Sequence, residues 1–392
     1  MARLQPLSSS FHGMPGVRIA VSRSQNARQV AQALHHALMH DDLGFVLFFV
    51  SAEYALDPLG EALNAAFAEI PLAGCTTAGE ITPAGYERGC IVALGFDRRH
   101  FGVAATLMDE LGHVTLVEAQ RRVDSLVQEA RQRFAGEPGR DIGTFALTLL
   151  DGLSSSEEQV LATLDAALGG IPSFGGSAGD DNRLTNTHVF AGDRFHSDAA
   201  VVVLITTHHP FEVFSAHHLV SRGEKLVVTQ ADASARRVME LNALPAAEEY
   251  ARLVGLPVAA LDEVVFSRHP LAVKLGDAWF VRSIQRVNTD GSLSFYCAVE
   301  NGIVLTAMRA ASQLQALDET VAGLESRLGR PGLIIGCDCF LRRLELESLG
   351  MIAEGSRRLA DAQVIGFNTY GEQHHGMHVN QTFTGVAIGL AQ

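Results

Sequence analysis

The sequence predicts an α/β protein of mixed α+β character, in which a repeated strand, helix, Gly-turn and strand unit builds mixed sheets flanked by helices. Three observations predict it. A short Gly-rich turn ending in Gly and an acid occurs three times: Ile70-Pro71-Leu72-Ala73-Gly74-Cys75-Thr76-Thr77-Ala78-Gly79-Glu80, Ile171-Pro172-Ser173-Phe174-Gly175-Gly176-Ser177-Ala178-Gly179-Asp180 and Val364-Ile365-Gly366-Phe367-Asn368-Thr369-Tyr370-Gly371-Glu372. An apolar strand pattern and a helical pattern precede each copy. Another apolar run follows it. One supersecondary unit used three times is an architecture.

The elements follow in order. Gly44 to Val50 is a continuous apolar run, the pattern of a strand buried on both faces. Leu59, Leu63, Ala66, Phe67 and Ile70 recur at helical spacing, and Cys90 to Phe96 is the returning strand. In the second unit Thr144 to Leu150 is the strand. Ser154-Ser155-Ser156-Glu157 reads as an N-cap with acids in the first turn. Val160, Leu161, Leu164 and Leu168 form the apolar stripe, and Ala199 to Thr206 returns. In the third, Gly332 to Cys337 is the strand, Leu349 to Leu359 the helix and Phe383 to Leu390 the last strand. The repeat spacings are too long and too uneven for a solenoid, so material is inserted between the second and third copies.

That material, about 224 to 310, reads differently. Leu226 to Thr229 is a strand, Ala235 to Leu241 is helical, and Leu244 to Val254 is an amphipathic helix. Ala278 to Val287 and Ser292 to Val299 alternate around Asp290-Gly291, a hairpin signal. The predicted division is an N-terminal extension at 1–30, a first domain at 31–223 and a second at 224–392.

The Gly turns match neither G-x-x-x-x-G-K-[ST] nor G-x-G-x-x-G, and a strand follows each, so a phosphate cradle is not expected. Positive φ is the expected reason for Gly74, Gly175 and Gly366, with the acid capping a nearby amide. A net charge of −14 argues against nucleic acid as a partner. No apolar run of membrane length and no secretory h-region is visible, so no membrane partner and a cytoplasmic location are expected. Five cysteines, including Cys337-Asp338-Cys339, suit buried thiols in a reducing compartment better than a disulfide scaffold or a zinc site. No G-x-S-x-G elbow and no acid–base pair stands out, so an enzyme is not expected.

The quoted segments resemble the FIST family. AGCTTAGEI, then FGGSAGDD with THVF and DAAVVVLI, resembles the N-terminal FIST module. LVVTQADASARRVMELNALPAAEEYARLVGLPV, then HPLAV, WFVRSI and GFNTYGE, resembles the C-terminal FIST module. Within the family, GFNTYGEQHHGMHVNQTFTGVAIG with GCDCFLRR ahead of it is similar to the nitric-oxide-sensing NosP type. This resemblance implies a bacterial cytosolic sensor. It would bind haem b non-covalently, ligate nitric oxide at the iron and control a partner histidine kinase; self-association suits such a sensor. The alternative within the family is a haem-free module for an amino-acid-like metabolite, its polar groups held by the turn amides with Glu80, Asp180 and Glu372.

Haem needs an apolar slot and an axial donor, most simply a neutral imidazole. Of 16 histidines, His188, His196 and His378 rank first, because each sits between a Gly turn and its return strand. His374, His375 and His269 follow. Phe367 and Tyr370 are candidate pocket walls, and Gly179 and Gly371 complete the cofactor-binding set. His35, His36, His40, His100 and His113 read as surface residues.

Overall fold

A computed structural model describes residues 13–136, 141–276 and 278–391. Most of the first half of the predicted N-terminal extension, residues 1–12, lies outside the described residues. The rest of that extension forms Val17–Ser22, an edge strand, and the start of Ala27–Leu38, a helix whose first turn is capped by the Asn26 carboxamide accepting from the Gln29 N–H.

The described residues form four sheets, three of them built alike. The first runs Val17–Ser22, Ile91–Asp97, Leu43–Ser51, Leu72–Thr77, Val189–Ala191, Arg194–His196. The second runs Met377–Val379, Glu372–His374, Ser173–Ser177, Gly143–Leu150, Ala199–Thr207, Phe101–Asp109. The third runs Phe211–Ala216, Phe383–Ile388, Leu333–Cys339, Val364–Thr369, Glu80–Thr82, Gly85–Glu87. At the heart of each is one parallel pair, Leu43–Ser51 with Leu72–Thr77, Gly143–Leu150 with Ser173–Ser177, and Leu333–Cys339 with Val364–Thr369. Parallel neighbours need a crossover, and the helices Leu56–Ala66, Glu157–Leu168 and Ile352–Asp361 supply it.

After each Gly-acid turn the chain leaves its own sheet. Glu80–Thr82 pairs with Val364–Thr369 of the third, Val189–Ala191 with Leu72–Thr77 of the first, and Glu372–His374 with Ser173–Ser177 of the second. The three units are therefore closed in a ring, each donating a hairpin to the next. An edge strand with unpaired amides is a liability, and the exchange covers one such edge in every sheet.

One shared core fills the space between the three sheets. Phe49, Cys75, Phe145, Phe174, Cys337 and Phe367 are among its buried members, and Phe49 stacks on Phe367 with centroids 4.5 Å apart. The outer faces pack against helix pairs: Ala27–Leu38 with Leu56–Ala66, Leu116–Arg133 with Glu157–Leu168, and Gln313–Leu328 with Ile352–Asp361. Central strands buried on both faces explain the unbroken apolar runs of the sequence. All five cysteines are buried and free.

The fourth sheet belongs to the inserted segment, from Leu219–Asp232 to Val304–Ala310, with its own core around Leu226, Tyr250, Phe266 and Leu305. The Asp290-Gly291 turn joins Ile284–Val287 to Leu293–Phe295 as an antiparallel pair.

Three local expectations change. Ala235 to Leu241 is not a helix: Arg237–Leu241 is a strand paired with both Leu219–Asp232 and Leu293–Phe295, and sheet pairing on two sides overrides local propensity. The predicted helix Leu349 to Leu359 is Ile352–Asp361, starting three residues later, and a helix the sequence reading did not place, Phe340–Ser348, precedes it across Gly350 with φ +68°. Ser156 sits at the N-cap of Glu157–Leu168 without a side-chain cap bond.

The turn glycines also have a different cause. Gly79 has positive φ (+138°), whereas Gly74, Gly175 and Gly366 do not. They allow close backbone approach: a Cβ on Gly366 would fall on the carbonyl of Gly336 in the neighbouring strand, and one on Gly74 would strike that of Phe48.

Candidate functional site

The three Gly-acid turns meet at the ring's centre. The Ala78 N–H donates to the Asn368 carbonyl (2.9 Å) and the Asn368 N–H to that of Gly79 (2.7 Å). The Gly179 N–H donates to the Thr76 carbonyl (3.0 Å), and the Ser177 N–H to that of Gly371 (2.8 Å). A side chain on Gly179 would collide with the Ala78 backbone, so this glycine is the contact between two turns. Arg343 enters the junction fully buried, donating to the Ala78 carbonyl and to Asn368.

Each acid closes its own hairpin. Glu80 accepts from the Thr77 hydroxyl and from the Cys90 N–H ten residues on (3.2 Å). Glu372 repeats this with the Thr369 hydroxyl (2.6 Å) and the Thr382 N–H (3.0 Å). Burial raises both carboxyls to about 7, the hydrogen bonds offsetting part of its effect. Asp180, shorter by one methylene, accepts from the N–H groups of Leu184, Thr185 and Asn186 and from the Tyr370 hydroxyl. Burial works against its charged form, but these donors outweigh it and hold the carboxyl below its usual range. The three acids are committed to their own chain, which takes those carboxylates from the metabolite reading.

A second polar cluster joins the ring to the inserted sheet. His378 is buried, with Nδ1 3.3 Å from Glu158 and 3.9 Å from Glu157. Arg236, from the insert, reaches both carboxylates at 2.8 and 3.1 Å. Glu157 also accepts from the Ser177 hydroxyl, and Glu158 from the Ala298 N–H (2.9 Å). Burial disfavours the charged forms of Glu158 and His378, but their mutual attraction, with Arg236 for Glu158 and Glu157 for His378, outweighs it. The carboxyl is held far below its usual range and the imidazole pKa is raised. His378 Nε2 abuts Gly371, where even a methyl group would not fit.

The six predicted histidines are not one site. His374, His375 and His378 share the third unit's hairpin, where His374 borders a cavity of about 10 Å³, room for about one water. Burial and the adjacent His375 lower its pKa to about 4. His188 precedes the strand Val189–Ala191 of the second unit's hairpin and His196 lies opposite Val189 in it; His196 Nε2 is 3.2 Å from the Ala191 carbonyl. His188 keeps a buried, unpartnered Nδ1, but Asp151, Asp57 and Asp180 surround it with negative charge, hostile to a porphyrin's propionates. Phe367 lies in the central core and Tyr370 packs on Phe340, its ring edge-on at 5.3 Å.

His269 differs. It ends the helix Glu263–Arg268 in the insert, and its Nδ1 is buried without a partner. Burial, then Arg222 and Arg268, lower its pKa, so the ring is neutral at physiological pH. An uncommitted neutral imidazole beside two guanidinium groups fits the donor chemistry of a haem with two propionates.

Sequence reasoning missed three groups. Arg343 stands in the sequence reading only as part of GCDCFLRR and Arg236 only within the predicted helix Ala235 to Leu241, neither as a site residue. His100 read as a surface residue, yet it stands against His208 and His209. The His208-His209 pair was visible, but only the register pairing Thr207 with Phe101 brings His100 to it.

This ring of exchanged α/β units with an inserted sheet is a mixed α+β architecture, and it is the family matched by the chain, not the fold, that suggests a sensory module used in signalling. The FIST N domain matches residues 44–244 and the FIST C domain residues 246–375, so the chain belongs to the FIST family. No curated protein matches it. No helix of the described residues is long and apolar enough to cross a membrane.

Proposed function

We propose that this FIST sensory protein is the input half of a two-component pathway, a cytoplasmic nitric oxide sensor that carries haem b and reports to a partner histidine kinase. The likeness of its tail to the NosP type supports the ligand and the partner class. The structural observation that carries the cofactor reading is His269, a neutral imidazole with an orphaned buried Nδ1 in the field of Arg222 and Arg268. When bound, haem would supply a ferrous iron at which nitric oxide ligates.

The residues around His269 give the signal a route. Arg268 donates to the Ser348 hydroxyl (3.0 Å) at the end of the helix Phe340–Ser348. The same helix carries Arg342, paired with Asp338 at 2.7 Å, and Arg343, which holds the junction of the three turns. His218 completes that anchorage, with one ring nitrogen 2.7 Å from Glu345 and the other 2.9 Å from Arg342. A shift of His269 is thereby coupled to an element that all three units share.

The test is an absorption spectrum of the haem-loaded protein, ferric, ferrous and with nitric oxide, for the wild type, His269→Ala and His188→Ala. The wild type and His188→Ala are expected to give a sharp Soret band at one haem per chain that moves on reduction and again with the gas. His269→Ala is expected to lose it. A sharp band in all three variants would remove His269 as ligand, and a weak band lost on gel filtration in all three would remove haem.

A further inference from the structure

We propose that His100, His208 and His209 form a binding site for a divalent late-transition-metal ion, at the outer end of the second sheet and separate from His269. Strand pairing assembles it. Thr207 is opposite Phe101, so the residue before one strand and the two after the other come together, and their register is fixed by nine antiparallel pairs. The Thr207 hydroxyl donates to the His100 carbonyl (2.9 Å) and accepts from the His209 N–H (3.1 Å), which fixes both backbones.

The imidazoles converge. One ring nitrogen from each lies within 4.8 Å of the others. His100 Nδ1 and His209 Nε2 are 3.1 Å apart, and the His208 and His209 rings stack at 4.4 Å. Phe101 stacks on His209 at 5.4 Å and Phe134 tilts against His208 at 6.0 Å, walling the cluster on its apolar side. His209 is buried and the other two are half-buried, so the cluster is shielded yet reachable. Beside His208 runs an open groove of about 590 Å³ whose walls include Asp141, Pro210 and Leu390. Three convergent imidazoles, one of them on the wall of a groove, match the three-ligand sites that leave a further position for water or substrate. Nitrogen donors favour zinc, copper and nickel over magnesium or calcium. An iron porphyrin has one axial position on each of its two faces, so it could not use three imidazole nitrogens that converge within 4.8 Å of one another.

Protons impose a cost that makes the proposal specific. The Ala391 N–H donates to His209 Nδ1 (3.1 Å), so the neutral ring carries its proton on Nε2, directed at His100 Nδ1. For Nε2 to bind a metal, that proton must move to Nδ1. The tautomer change conserves protons but turns Nδ1 into a donor facing another donor, and the Ala391 contact breaks. Metal binding is thus coupled to release of the C-terminal segment at Ala391.

The experiment is titration of the full-length, haem-free protein with Co²⁺, followed by its visible d–d bands, then displacement with Zn²⁺, with Zn²⁺-dependent thermal melts alongside. Expected are intense tetrahedral or five-coordinate bands at one Co²⁺ per chain, lost in His100→Gln and in His208→Gln and kept in His113→Gln, an exposed histidine. A ligand that binds only the folded state raises Tm, so Zn²⁺ should raise that of the wild type and not of the two site variants. Ala391→Pro, which has no N–H to donate, should bind Co²⁺ about 5-fold tighter, the worth of one ordinary hydrogen bond. Weak octahedral bands in the wild type, or bands kept in both site variants, would overturn the metal site. An unchanged affinity in Ala391→Pro would overturn the coupling. Melts without metal show whether each variant is folded, and His208→Asn serves where His208→Gln is not.

Discussion

Replacing Arg236 by methionine is expected to cost about 3–5 kcal/mol of stability, the usual penalty for removing one partner of a buried ion cluster. The methionine keeps most of the apolar stem, so the loss is electrostatic rather than a cavity. Arg236 is the cation that faces both Glu157 and Glu158, and the Glu157 side chain is only 2% exposed. Without it, His378 is left to balance two carboxylates, one of them 3.9 Å away. Arg236 also has φ +51°, so a glycine there would relieve backbone strain and blur the result; methionine leaves the backbone cost in place. The double variant Arg236→Met, Glu157→Gln is expected to recover part of the loss, because the amide oxygen still accepts from Ser177 and no unpaired charge remains. Urea unfolding at neutral pH of the wild type, Arg236→Met, Glu157→Gln and the double variant closes the cycle. A loss below about 1 kcal/mol, the range of exposed pairs, would mean that the cluster does not clamp the insert to the ring. Strictly additive single and double variants would mean that Arg236 and Glu157 do not interact.

Much of the ring was legible because its signals are local. Continuous apolar runs mark strands covered on both sides, and Leu43–Ser51, Gly143–Leu150 and Ala199–Thr207 fall where those runs are. Asp290-Gly291 is a turn by its own chemistry. The exchange of hairpins was not legible, since Glu80–Thr82 carries no mark that its partner is Val364–Thr369, nearly three hundred residues on. The strand Arg237–Leu241 was misread for the same reason: its neighbours in the sheet, not its residues, decide its conformation. Sites fared worse than elements. His378 drew notice as a ligand candidate beside a Gly turn, but its partners, Glu157, Glu158 and Arg236, lie more than a hundred residues away in two other parts of the chain. His269 was named among the candidates, yet what distinguishes it, an orphaned nitrogen in the field of two arginines, exists only in three dimensions.

Stability is expected to fall as pH rises from about 5 to 8, by on the order of 3 kcal/mol for each of Glu80 and Glu372. Both carboxyls go from the ordinary 4.5 to about 7 on folding, because burial disfavours the charged form more than their donors favour it. A group whose pKa is raised on folding holds more protons in the native state between the two values. Its contribution is therefore full below about 4.5 and lost as pH passes through about 7. His378, also raised, adds to the loss in the same direction, whereas Glu158 and Asp180, both lowered, contribute at neutral pH and weaken only in acid. The local geometry accommodates the protonated acid. Its carbonyl oxygen accepts from the Cys90 N–H at Glu80, or the Thr382 N–H at Glu372, and its O–H donates to the Thr77 or Thr369 hydroxyl. A glutamine can make the same two bonds, with its amide nitrogen facing the threonine. Glu80→Gln, Glu372→Gln is thus expected to fold, to be at least as stable as the wild type at pH 8 and to lose most of the slope between pH 5 and 8. Urea melts across that interval read both quantities. A wild-type profile that is flat or rising, or a double variant that keeps the full slope, would show that the two glutamates remain ionised within the hairpins they close.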